Sequence, residues 1–197
     1  MKYFSLLILF IMLLVSMYSA QIHADIIDGI SNQPEKLKEK DVTGKKLPSF
    51  KLTNLADEEL LLEDLREEKL VILMFSSKCP YSVISAKLLD ELLKDNKDIK
   101  FLAICLDSDI GNVNDGGKTQ KNAAEEFSKK CFKNSKDVNV LLADEDFRRD
   151  YSQFFGTGKL QKTPIHMFVD GDARVDTYIT GSSDKDDLKD AVAGLSD

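Results

Sequence analysis

The chain has no tryptophan, only two histidines, four prolines and three cysteines among its 197 residues. Each shortage excludes something. Three cysteines are too few to build a disulfide scaffold, so sheets and helices must hold the fold. Two histidines leave no Cys/His cluster with zinc spacing and no Ser–His–Asp arrangement that can be argued, and the sequence calls for no metal or cofactor. Basic residues are outnumbered, 27 Lys+Arg against 34 Asp+Glu, for a net charge of −7. A nucleic-acid binder would show a basic stripe, and none is present. Internal repeats and long low-complexity tracts are also missing.

Long apolar runs are few, and their places organise the chain. The first spans residues 3–18 behind Lys2. A basic start followed by an apolar stretch reads as an export signal. Residues 1–24 are therefore expected to be a signal peptide or a retained membrane anchor through residues 3–18. No cysteine stands just after the run, so a lipid-modified anchor is not indicated. The remainder is expected outside the cytoplasm, periplasmic or secreted. Residues 25–46 are polar, with Pro34 and Gly44 as breakers, and read as a linker with a short helix over residues 35–40.

The second run is Leu70 to Phe75, unbroken, as suits a strand buried on both faces. Ser76, Ser77 and Lys78 turn the chain. Cys79 then falls at a helix N-cap, with Pro80 at the favoured first helical position. Ile84, Leu88 and Leu92, with Leu89 and Leu93 beside them, give that helix an apolar face. The positive end of the helix favours a thiolate at Cys79, and the thiolate is the nucleophile. Residues 101–106 form the third run and are expected as the parallel neighbour of the first strand, with Cys105 buried inside it.

The rest follows by period and punctuation. A hairpin is expected from residues 47–54 and 60–62, with a helical turn at Glu63 to Leu65. A helix is expected over residues 123–132, a short strand over 138–142, and a helix capped by Asp144 that carries Phe147 and Tyr151. Residues 165–169 and 174–179 read as strands joined by Asp170-Gly171-Asp172. A last helix, capped by Ser183 or Asp184, turns Leu188, Val192 and Leu195 inward. The loop from Asp107 to Gly117 is acidic, but Asn112 and Lys118 stand where a calcium loop needs glycine and glutamate. Gly117-Lys118-Thr119 lacks the first glycine of a phosphate loop. Both read as solvated loop. His166 alternates with Ile165 and Met167 and reads as structural.

Cys79-Pro80-Tyr81-Ser82 after a buried strand resembles the active site of the thioredoxin superfamily, in its TlpA/ResA-like, AhpC/TSA-redoxin-related branch. That resemblance covers roughly residues 45–195. It implies an α/β thioredoxin fold over residues 47–197: a central mixed sheet flanked by helices, with an N-terminal hairpin and a helix–strand insertion. It also makes Thr163-Pro164 the cis-proline loop that faces the active-site cysteine and, with Pro80 and Tyr81, meets substrate. The family's second cysteine is Ser82 here. A serine cannot resolve a mixed disulfide, although its hydroxyl can hydrogen-bond the Cys79 thiolate. The resemblance therefore implies a monothiol thiol–disulfide oxidoreductase acting by exchange, isomerisation or deglutathionylation, with protein or small thiols and disulfides as partners. Cys131 stands as a distant candidate resolving cysteine. Two other readings remain. One is a redox-inactive binding module that uses the cis-proline groove. The other is a peroxiredoxin-like thiol peroxidase, with Ser76 at the Thr/Ser position of that family's motif and Arg148, Arg149 or Arg174 as its arginine.

Overall fold

The computed structural model describes residues 40–107, 119–134, 137–160 and 162–196. The expected export segment, the helix over 35–40 apart from Lys40, and the acidic loop beyond Asp107 lie outside these residues. Among those described, no helix is long and apolar enough to cross a membrane.

Seven strands form one mixed sheet. They are β1 (Lys51–Asn54), β2 (Glu59–Leu61), β3 (Lys69–Phe75), β4 (Ile99–Cys105), β5 (Asn139–Leu142), β6 (Ile165–Val169) and β7 (Val175–Thr180), in the spatial order β2-β1-β5-β4-β3-β6-β7. β3, β4 and β5 run parallel, and β1 and β6 flank them antiparallel. Four helices accompany them among the described residues: α1 (Pro80–Leu93), α2 (Gln120–Cys131), α3 (Glu145–Phe154) and α4 (Lys185–Ser196). This is the thioredoxin fold, with β1–β2 as the added hairpin and α2–β5 as the inserted helix and strand. A short 3-10 turn at Leu62–Leu65 leads into β3.

The alternation of each strand divides the core into two layers. Leu70, Ile72 and Met74 of β3 face one side, with Leu102, Ile104, Ile165 and Met167. α3 and the segment from Val42 to Phe50 cover them through Phe147, Tyr151 and Phe155. Phe147 and Tyr151 stack at 4.2 Å, and the Tyr151 hydroxyl donates to the Pro48 carbonyl at 3.1 Å, so α3 holds that segment down. Val71, Leu73, Phe75, Phe101, Ala103, Cys105 and Phe168 face the other side, under α1, α2 and α4. Phe75 stacks on Phe127 of α2 at 3.9 Å. Burying one such side chain contributes about 1.5–3 kcal/mol, and every residue from Leu70 to Phe75 is buried. β3 is thus the most secure element from which to hang a reactive group.

Local signals set the boundaries. Asp144 caps α3 by accepting the Phe147 N–H at 2.7 Å. Gly156, at φ +68°, follows Phe155 in the left-handed conformation that ends such a helix without a Cβ penalty. Asp184, rather than Ser183, accepts the Asp187 N–H at 2.9 Å at the start of α4. Leu188, Val192 and Leu195 point inward as the period indicated.

One face differs from expectation. Ile84 of α1 is 52% exposed, and the buried positions are Ser82, Ser85, Ala86, Leu89, Asp90 and Leu93. The reason is polar. The Asp90 carboxylate accepts the backbone N–H groups of Lys133 and Asn134, each at 3.0 Å, and the Asn134 side-chain amide at 2.9 Å. A carboxylate so satisfied can be buried, and it takes a place on the inner face while Leu88 and Leu92 pack at its margin and Ile84 alone turns outward.

Candidate active site

The site lies where β3 ends. The parallel ladder runs one bond past Phe75, whose carbonyl accepts the Leu106 N–H at 2.8 Å. The chain then turns, and the Cys79 N–H donates back to the Ser76 carbonyl at 3.1 Å. Cys79 takes the N-cap of α1 in an extended conformation (φ −84°, ψ 116°), and Pro80 begins the helix. The missing N–H of a proline costs nothing there. No side-chain hydrogen bond caps this helix. Sulfur is a weak acceptor, so the first N–H groups act on it as oriented dipoles.

Partial burial pushes the Cys79 thiol up, but four groups pull it down: the Ser82 N–H, the side chains of Ser82 and Thr163, and the Tyr81 N–H. The balance is a lowered pKa. In the thiol form the sulfur donates to the Thr163 carbonyl at 3.4 Å, across a Thr163–Pro164 peptide that is cis. Ser82 is completely buried. Its oxygen accepts the Ser76 N–H at 3.4 Å, which leaves its own proton for the sulfur. Cys79, Ser82 and Thr163 therefore meet at one point. Pro80 and Tyr81 lie on the solvent side, Tyr81 at 55% exposure, and Pro164 is buried behind Thr163.

The other titratable candidates sit elsewhere. Cys105 is buried at the end of β4, and burial, with Asp107 nearby, pushes its thiol up to about 12. Cys131 is buried in the layer under α1 and α2, and burial raises it despite Lys87 and Lys130. Neither resembles a resolving thiolate. His166 is fully buried, with Nδ1 at 3.2 Å from the Ile179 carbonyl and 3.3 Å from the Ser183 hydroxyl. Burial lowers its pKa to about 4, so it is neutral at pH 7. Among the described residues no group of three or more His, Cys, Asp or Glu could hold a metal ion.

Of the three candidate arginines, two lie away from Cys79 and one reaches the residue that bonds its turn. Arg149 pairs with Asp146 and Asp150 on the surface. Arg174 donates to the Gly44 carbonyl, beyond Val169, at the end of the sheet opposite Cys79. Arg148 donates to the Asp107 carbonyl at 2.6 Å. Asp107 itself was not anticipated. Its carboxylate accepts the Ser76 hydroxyl at 2.7 Å and the Ser77 N–H at 3.0 Å. The available signal was its place: it directly follows the β4 apolar run, level with the turn that leaves β3.

Residues 42–195 match the Redoxin family. The chain belongs to that family. Among solved structures, this redoxin shares 15% identity with a thiol:disulfide interchange protein of the thioredoxin family from Chlorobium tepidum, over 79% of this chain and 99% of that one, at a TM-score of 0.60. A secreted Mycobacterium tuberculosis disulfide oxidoreductase homologous to E. coli DsbE shares 18% over 74% and 96%, with a TM-score of 0.55. A thiol peroxidase from Chromobacterium violaceum shares 16% over 81% and 90%, with a TM-score of 0.56. At these identities the likeness is one of fold, and family membership supports a thioredoxin-like redox function. No curated protein matches the sequence.

Proposed function

We propose that this redoxin is an extracytoplasmic, TlpA/ResA-like thiol–disulfide oxidoreductase that works through Cys79 alone. The observation that carries the reading is the meeting of a lowered-pKa cysteine, a buried Ser82 and the Thr163 carbonyl at one helix N-terminus. The Cys79 thiolate attacks one sulfur of a substrate disulfide. A Cys79–substrate bond forms, the substrate S–S bond breaks, and the second substrate sulfur leaves as a thiolate. Ser82 cannot displace the bound sulfur. An external thiol, or the substrate's own second cysteine, attacks the mixed disulfide and frees Cys79. Protein disulfides and glutathione mixed disulfides suit this cycle, with Pro80, Tyr81 and Thr163 lining the approach and Pro164 behind Thr163. Residues 1–24 serve as the export signal or anchor, and the redoxin domain, expected over residues 47–197, also takes in Val42 of the preceding linker.

The peroxidase reading has less support. The Ser76 hydroxyl is given to Asp107, Arg149 and Arg174 bond elsewhere, and Arg148 donates to the Asp107 carbonyl. The experiment is to mix the reduced protein with glutathione disulfide and map the adduct by peptide mass spectrometry. One glutathione on Cys79, removed by added thiol and absent from Cys79→Ala, is expected. An unmodified Cys79 with retained partner binding would overturn the catalytic reading in favour of a binding module, and rapid Cys79-dependent turnover of hydrogen peroxide would overturn it in favour of a peroxidase.

A further inference from the structure

We propose that Asp107, steadied by Arg148, is a positioning residue that holds the Ser76–Ser77–Lys78 turn and so sets the aim of Cys79. The inference rests on the reading of Cys79 as a nucleophile and adds a device on the neighbouring strand.

The turn contains neither proline nor glycine, and one restraint on it is the bond from the Cys79 N–H to the Ser76 carbonyl. Asp107 supplies an external one. Because the β3–β4 ladder extends to the Leu106 N–H and the Phe75 carbonyl, Asp107 stands level with the first turn residues. Its two carboxylate oxygens divide the work: Oδ1 takes the Ser76 hydroxyl and Oδ2 takes the Ser77 N–H. Two consecutive residues are thereby pinned by one rigid group. Hydrogen bonds to a charged acceptor are also the stronger kind.

Asp107 is held in turn. Arg148 reaches across from α3 and donates to its carbonyl at 2.6 Å. The restraint therefore runs from α3, through the end of β4, to the turn after β3 and on to the N-cap of α1. From the same turn, the Ser76 N–H donates to Ser82, the residue whose hydroxyl favours the Cys79 thiolate. Ser76 thus links Asp107 to both residues of the site. The carboxylate's bonds go to the turn and not to the Cys79 sulfur, so its contribution to the site is geometric. A displacement on the order of 1 Å at a reacting atom can cost a hundredfold in rate.

The test compares Asp107→Ala, Asp107→Asn, Ser76→Ala and Arg148→Met with the wild type. Two quantities are read on each: the rate of Cys79 glutathionylation by glutathione disulfide, and the thermal midpoint. Asp107→Ala is expected to slow the reaction by about tenfold or more. Asp107→Asn should recover most of that loss, because its amide oxygen still accepts the Ser77 N–H and its NH2 can donate to the Ser76 oxygen. Ser76→Ala and Arg148→Met should slow it by about threefold with little change in midpoint. Should Asp107→Ala fail to fold, these two variants decide. A folded Asp107→Ala with the wild-type rate, or wild-type rates in both Ser76→Ala and Arg148→Met, would overturn the proposal alone. A wild type whose Cys79 does not react would overturn the function reading, and this proposal with it.

Discussion

Two neighbouring strands each bring a cysteine to the same end of the sheet, with opposite results. Cys105 is the last residue of β4 and pairs in register with Phe75, the last residue of β3. Cys79 stands four places beyond Phe75. Cys105 stays inside the ladder, completely buried, and its thiol rises to about 12. Cys79 has left the ladder, is partly exposed and sits at a helix N-cap, and its thiol falls. The difference is one turn of chain. Burial opposes the charge at both sites, but only at Cys79 do N–H groups and two hydroxyl-bearing side chains outweigh it. A lowered thiol pKa here belongs to a position at the strand-to-helix junction rather than to cysteine as such.

The largest effect tests that contrast directly. Cys79→Ala should abolish mixed-disulfide formation, whereas Cys105→Ala should leave it intact, as followed by intact mass after exposure to glutathione disulfide. Next in size, Ser82→Cys should turn the monothiol site into a dithiol one. An internal disulfide, seen as the loss of two hydrogens in mass, is the expected product, together with net reduction of protein disulfides. Failure to form it would mean that the Ser82 position cannot reach Cys79. With the native protein at pH 8, Cys79 should alkylate on the order of a hundredfold faster than Cys105 or Cys131, because reactivity follows thiolate fraction and access. Comparable rates at all three would erase the comparison.

Smaller effects concern the interior. His166 is buried and neutral, with a pKa lowered to about 4 from an ordinary 6.5. Between those values the unfolded chain binds a proton that the folded chain does not. Stability is thus full above pH 6.5 and is lost as pH falls toward 4, by up to about 3 kcal/mol. His166→Leu should flatten that stretch of the urea-denaturation profile relative to wild type. The smallest effect is at Gln120, whose amide donates to the carbonyls of Cys105 and Ala143, each at 3.0 Å, and ties α2 to the sheet edge. Gln120→Ala should cost about 1–2 kcal/mol in the same measurement, with Cys79 alkylation unchanged.

The parts of this molecule written locally could be read from its residues. The unbroken run into β3, proline after cysteine, and Thr163-Pro164 before an apolar strand each carry their signal within a few positions. So do the Asp144 cap and the Asp-Gly turn. What escaped were contacts made by polar side chains across long stretches of chain. Counting apolar periods placed Ile84 inward, because nothing near Asp90 announces that Lys133 and Asn134 will satisfy its carboxylate. Asp107 looked like one more acidic loop residue for the same reason: its partners, Ser76 and Ser77, lie on the neighbouring strand's exit.

The hairpin pairing has a consequence for how the chain assembles. β1 finds a partner in β5, with Thr53 opposite Leu142, and β3 is flanked on one side by β6, with Met74 opposite Ile165. The β3–α1–β4 unit can form from its own neighbourhood, but the β1–β2 hairpin has no sheet to join until β5 exists. During synthesis, the segment that emerges early would wait for strands that emerge late. Contacts of such long sequence separation slow folding and lengthen exposure to aggregation. The hairpin's place in the sheet is therefore set by residues nearly ninety positions further along the chain, as Thr53 opposite Leu142 shows.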